Sequence, residues 1–213
     1  MVGIKPMSGM GSSTTPTAGH TMPGLGETRS HGTRGFGDTL VSASYRLARS
    51  PALRAHATLG VWVPTGSIGH KNADGTFAHY MMQPGSGTWD LEPAITVSGN
   101  AGGLGWGAQA SYRWRSERSN ASGYSLGDKA QASGWVSCLL GGDVGATARL
   151  EYVHEGRILG EYNGPHRLNT PPDRPENYGG DTVSAGLGFN WRIPVGGADR
   201  PQLAAEFAMP LFQ

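Results

Sequence analysis

Between Asp38 and Phe212 the chain repeatedly alternates apolar and polar residues with a period of two. A β-strand sends successive side chains to opposite faces, so such a run predicts a strand with two chemically different sides. The stretch 88–115 shows this best. Leu104, Trp106, Ala108, Ala110, Tyr112 and Trp114 share one face, and Gly105, Gly107, Gln109, Ser111, Arg113 and Arg115 the other. Before them Leu91, Pro93, Ile95 and Val97 oppose Asp90, Glu92, Thr96 and Ser98, and Asn100-Ala101-Gly102-Gly103 supplies a tight turn. The same period predicts further strands at about 38–47, 53–63, 129–139, 144–154, 182–193 and 202–212.

Each predicted strand has about ten residues, the length that crosses a bilayer at a tilt. The connections alternate as well. Short turns at 48–51, 100–103, 141–143 and 195–199 are interleaved with longer stretches at 64–87, 116–127 and 155–180. Outer-membrane barrels have short periplasmic turns and longer extracellular loops, whereas a soluble meander has no reason to keep that order. The three long loops are therefore expected on one side. Lipid offers no hydrogen-bond partners, so a spanning sheet must close on itself. The expectation is an all-β, antiparallel up-and-down transmembrane β-barrel with about eight strands present, whole or part of a larger barrel. Residues 1–34, rich in Gly, Ser, Thr and Pro, read as a disordered tail or loop, and 35–213 as the barrel domain.

Composition narrows the function. Charged residues make up 15% of the chain, against ~25% in an average soluble domain. That is a thin coat for a soluble ligand-binding barrel, which would turn its polar face to water. The net charge of +1 gives no basic field for nucleic acid. No apolar run is long enough for a membrane helix, and MVGIKPMSGM has no signal-peptide pattern. The single Cys138 excludes an internal disulfide and a multi-cysteine zinc site, and reads as a small buried hydrophobe. Met1, Met7, Met10, His20, Met22 and His31 could ligate a soft metal, but their spacing is irregular. His56, His79, His154 and His166 lie in no nucleophilic motif. Asn120-Ala121-Ser122 matches a glycosylation acceptor, a pattern frequent by chance. No catalytic residue, metal or cofactor is expected, and no enzyme activity.

The polar faces are where function is expected. Arg46, Arg54, Asp90, Glu92, Arg113, Lys129, Arg149, Glu151, Arg192 and Glu206 all fall on them and are candidates to line a lumen. Both signs are present, so internal ion pairs are expected. Tyr45, Trp89, Trp106, Tyr112, Trp114, Tyr152, Trp191 and Phe212 lie mostly near strand ends, where aromatic girdles sit. The partners implied are outer-membrane lipid and a small-molecule solute. The rival readings are a structural outer-membrane barrel without transport and a soluble ligand-binding β-barrel.

Several segments carry a family resemblance. GFGDTLVSASYRL, LGVWVPTGSI, YMMQPGSGTWDLEPAITVSG, WGAQASYRW, GYSLGDKAQASGW and LAAEFAMPLFQ are similar, in this order, to the phenol-degradation meta-pathway family of Gram-negative outer-membrane β-barrel proteins described as transporters. MQPGSGTWDL is the most specific of them. The resemblance covers roughly residues 35 to 213. It implies an integral outer-membrane barrel passing small hydrophobic or aromatic compounds, with no catalytic residues to carry over. Residues 1 to 34 resemble a reduced form of a Met- and His-rich loop that some members carry before Gly35-Phe36-Gly37-Asp38. Members also have a signal peptide and further strands on both sides of this region, so a partial chain is expected.

Overall fold

The structure, a computed structural model, describes residues 33–50, 52–195 and 201–213. The methionines and histidines considered as soft-metal ligands, and most of the expected tail, lie outside the described residues. Ten strands follow in chain order: β1 (Thr39–Arg49), β2 (Leu53–Val63), β3 (Asp90–Ala101), β4 (Leu104–Arg115), β5 (Tyr124–Ser125), β6 (Lys129–Gly141), β7 (Val144–Glu155), β8 (Leu159–Gly160), β9 (Gly180–Arg192) and β10 (Gln202–Phe212). Eight of them form one antiparallel meander in the order β1-β2-β3-β4-β6-β7-β9-β10. The two-residue β5 and β8 pair with each other within the loops. No described helix is long and apolar enough to cross a membrane.

The eight long strands have 11 to 13 residues, slightly more than the period alone suggests, because the ladders run into the glycine turns. Gly102 and Gly103 take φ of 57° and 86° between β3 and β4. Positive φ at both central residues is what a two-residue hairpin of the favoured hand requires, and glycine adopts it without steric cost. Strand order and direction are those of a barrel wall. Closure is not seen among the described residues: β1 and β10 each pair with one neighbour and stand as open edges.

Two irregularities have sequence causes. Pro93 pairs with Leu59 of β2, but towards β4 the ladder passes from Leu91–Trp114 directly to Ala94–Ser111. Proline has no N–H to donate, so the gap falls beside it. In β1 the register shifts between Arg46 and Ala48, leaving Leu47 as the extra residue of a bulge. Arg49 then stands opposite Arg54, on the face that Arg46 and His56 occupy.

The core is not between the strands. Among the described residues the buried hydrophobic ones are Ala78, Tyr80, Tyr124, Ile158 and Tyr162, all in the long connections. The strands instead expose large apolar side chains, among them Leu150, Leu187 and Phe207 at 55%, 72% and 72%. Cys138, expected as a buried hydrophobe, is only half-buried. It pairs in register with Leu104 and Ala146 on the apolar face, where Leu104 is itself exposed.

Candidate functional site: the polar face and its loop cap

Residues directly opposed in a ladder share a face, so the register traces the polar side across the sheet. One row runs Arg46, His56, Thr96, Gln109, Ser133, Glu151, Ser184. The neighbouring row runs Arg54, Ser98, Gly107, Trp135, Arg149, Gly186, Ala208. The ten residues singled out in the sequence all lie on this face.

The structure brings most of them together in pairs. At the loop end, Arg115 bonds Asp90, whose side chain is fully buried, and the Thr88 hydroxyl donates to the same carboxylate at 2.8 Å. One step along, beside the ladder gap at Pro93, Glu92 accepts from Arg113 Nε at 2.8 Å and from Trp62 Nε1 at 2.7 Å. The Arg113 guanidinium also stacks 3.7 Å from the centre of the Trp62 ring. Three side chains from three strands thus fix one another, and the charge is both paired and held by an aromatic face. Farther across, Arg149 of β7 reaches Glu206 of β10 at 2.5 Å and Glu151 at 3.6 Å. The strand between them presents Gly186 and Gly188. A Cβ at Gly186 would stand 2.8 Å from Glu206 Oε1, so the pair crosses β9 only because no side chain stands there. Trp135 uses the same device: its ring lies over Gly107, within 2.2 Å of where a Cβ would be. Lys129 sits in register between Arg113 and Glu155, and Arg192 opposite Gln202. Arg46 and Arg54 have no carboxylate partner among the described residues.

At the loop end of the sheet the three long connections pack into a cap. Each contributes aromatic residues to one bundle: Phe77 and Tyr80 from the first, Tyr124 from the second, Tyr162 and Tyr178 from the third. Tyr162 is stacked between Phe77 at 4.3 Å and Tyr80 at 4.4 Å, and Tyr124 meets both tyrosines edge-on. Burial pushes the Tyr80 and Tyr124 phenols up to about 12 and raises Tyr162 further. Around the bundle, His79 Nδ1 lies 2.7 Å from Asp173. Burial acts to raise the Asp173 carboxyl, but the Thr170 hydroxyl and backbone N–H, together with His79, hold it below the usual range. The hydrogen bond from Arg167 at the cap's edge likewise holds Asp74 low.

The cap is pinned to the sheet by the two most distinctive motifs. Asp38, at the end of Gly35-Phe36-Gly37-Asp38, accepts from Gly66 N at 3.0 Å, Ser86 N at 2.8 Å and Ser86 Oγ at 2.6 Å. Ser86 belongs to the Met82–Leu91 stretch. Gly66 and Gly85 pass so closely that a Cβ on Gly66 would lie 2.5 Å from Gly85 Cα. Asn120 is 7% exposed and donates to Ser86 O at 2.8 Å, a structural role that leaves its side chain no room for a glycan. Among the described residues no cluster of His, Cys, Asp and Glu could hold a metal ion.

The family model described as "Putative MetA-pathway of phenol degradation" matches residues 8–198. The chain belongs to this family. No curated protein matches this member of the phenol-degradation family. Among solved structures it is similar to the crystal structure of an outer membrane channel from Pseudomonas putida F1. That likeness has 13% identity and a TM-score of 0.59, and covers 82% of this chain and 59% of the channel's. It supports the fold: an all-β antiparallel wall of the outer-membrane channel type.

Reading the sequence alone did not single out four features of this family member. Trp62 and Trp135 are apolar residues on the polar face, visible by parity but easily passed over among the charges. Arg49 changes face only through the bulge. Asp38 acts across 48 residues to reach Ser86, a contact with no local signature. The loop tyrosines carried one available signal: Tyr80, Tyr124, Tyr162 and Tyr178 fall within stretches otherwise rich in Gly, Asn and Pro.

Proposed function

We propose that this chain forms the wall and extracellular cap of an outer-membrane channel of a Gram-negative bacterium. The polar face lines a path for small solutes and the three long loops cover its mouth. One observation carries the reading: the strands expose large apolar residues along one face of the sheet, while the buried aromatic residues Tyr80, Tyr124 and Tyr162 lie in the loops. A soluble protein rarely leaves so wide an apolar area open, whereas lipid covers such a face at no cost. The opposite assignment, a soluble barrel with its apolar face inward, would bring Arg149, Glu206, Glu92 and Arg113 to the outside, where their interlocked pairing across strands would serve little. The reading includes no catalytic step, and the polar groups serve to position charge along a path.

Conductance tests it. The chain refolded in detergent and added to a planar bilayer should give discrete current steps, which supports the reading. A folded, water-soluble monomer that needs no detergent would overturn it. A heat-modifiable, β-rich membrane protein with no conductance would instead favour a plugged or structural barrel, the reading to which the packed cap lends weight.

A further inference from the structure

The charges of the polar face are not evenly matched. Across β3, β4, β7 and β10 every arginine described above has a carboxylate: Arg113 with Glu92, Arg115 with Asp90, Arg149 with Glu206 and Glu151. At the short-turn end of β1 and β2 the balance fails. Arg46, Arg49, Arg54 and His56 share one face there, and no carboxylate among the described residues pairs with any of them. The gathering is built. Without the bulge at Leu47, Arg49 would point to the apolar side. With it, Arg46, Arg49 and Arg54 border one concavity of about 580 Å³ together with Ser44, His56 and the small Ala48 and Ala55.

Arg54 also borders a second, smaller concavity of about 180 Å³, shared with Ser98, Gly105, Ser137 and the Trp135 ring. Trp135 reaches into it by lying across Gly107, two strands away from Arg54 in the same row. Arg54 is the wall common to both spaces. A cationic group with open hydrogen-bond donors on one side and a flat indole on the other is a chemical pair. The guanidinium fork matches a carboxylate, and the indole face takes an aromatic ring.

We propose that Arg46, Arg49 and Arg54, with Trp135, bind an aromatic carboxylate on the polar face, its carboxylate at the arginines and its ring against Trp135. The site rests on the channel reading for its place on a solute path, but its binding chemistry does not depend on conduction. The charge favours a carboxylate over a neutral aromatic, which would bring no counter-ion to three like charges gathered on one face.

Fluorine NMR of the detergent-refolded chain tests this with two probes, para-fluorobenzoate and its neutral analogue para-fluorobenzyl alcohol. The benzoate signal should broaden on titration, with the alcohol binding about tenfold or more weakly. Arg49→Gln/Arg54→Gln should weaken benzoate binding by about tenfold, and Trp135→Leu should weaken it by several-fold. Equal binding of the two probes, absence of benzoate binding, or undiminished binding by a folded arginine variant would each overturn the site. The comparison of probes uses the unaltered chain, so it stands even if a variant fails to fold. Benzoate binding without bilayer conductance would sink the channel reading and keep the site, while conductance without benzoate binding would do the reverse.

Discussion

The loop cap and the strand wall are held together by different physics. The cap has what a water-soluble domain has: a dry aromatic bundle, a capped turn at Thr170–Asp173 and ion pairs at its rim. The wall has no such core. Its strands pair in one eight-stranded meander, its polar side chains interlock over glycines, and its large apolar side chains stay exposed among the described residues. On the proposed channel reading, two solvents act on one chain. Water drives burial in the cap, whereas on that reading lipid would let the wall keep its hydrophobic residues outside and require that backbone groups be paired.

Breaking the cap should leave the wall intact, and the largest effect is expected at its centre. Tyr162→Ala removes the ring stacked between Phe77 and Tyr80 and should destabilise the cap by about 3–5 kcal/mol, the range for large-to-small aromatic substitutions. Limited proteolysis should then cut the loops while circular dichroism of the strands is unchanged. A simultaneous loss of strand signal would show that the two regions are one cooperative unit. Alkali gives the same bundle an independent signature. The Tyr80 and Tyr124 phenols are raised to about 12 from an ordinary 10.0. A buried acid with a raised pKa contributes stability below its unfolded value and loses it as pH climbs through the folded one. Loop protection should therefore fall between about pH 10 and 12, followed by proteolysis rate and the phenolate absorbance band.

A smaller effect is expected where cap meets wall. Asp38→Ala strands the two backbone N–H groups and the hydroxyl that its carboxylate accepts from Gly66 and Ser86, for a loss of about 2–3 kcal/mol. Hydrogen exchange should rise around 64–87 and hardly at all around 155–180. Within the wall, Gly107→Ala places a methyl group where the Trp135 ring lies and should cost about 1–3 kcal/mol as the ring is displaced, read as a shift in tryptophan emission. Glu206→Gln loosens a pair whose members are more than a third exposed, so the change in thermal stability should be at most about 1 kcal/mol.

The wall was largely legible in the sequence and the cap was not, for one physical reason. Leu187, Phe189 and Trp191 against Gly186, Gly188 and Asn190 announce their faces through a period of two that any local window detects. The cap's contacts join residues far apart along the chain, as in Tyr162 donating to Ala78 O across 84 positions, and no period marks them. The same contrast holds within the candidate site. Arg46, Arg54, Arg113 and Arg149 were found by parity. Arg49 was not, because a bulge resets parity after Leu47. Which carboxylate each arginine would meet was also hidden, since Arg149 and Glu206 meet over a strand whose glycines look unremarkable in isolation.

On the proposed channel reading, one face of the wall meets lipid and the other water. Spin labels placed singly along β7 at Thr147, Ala148, Arg149, Leu150, Glu151 and Tyr152, in a Cys138→Ala background reconstituted in lipid, test it directly. Collisions with oxygen, which concentrates in lipid, should peak at 148, 150 and 152. Collisions with a water-soluble nickel chelate should peak at 147, 149 and 151. Inverted phases, or water accessibility at all six positions, would contradict it.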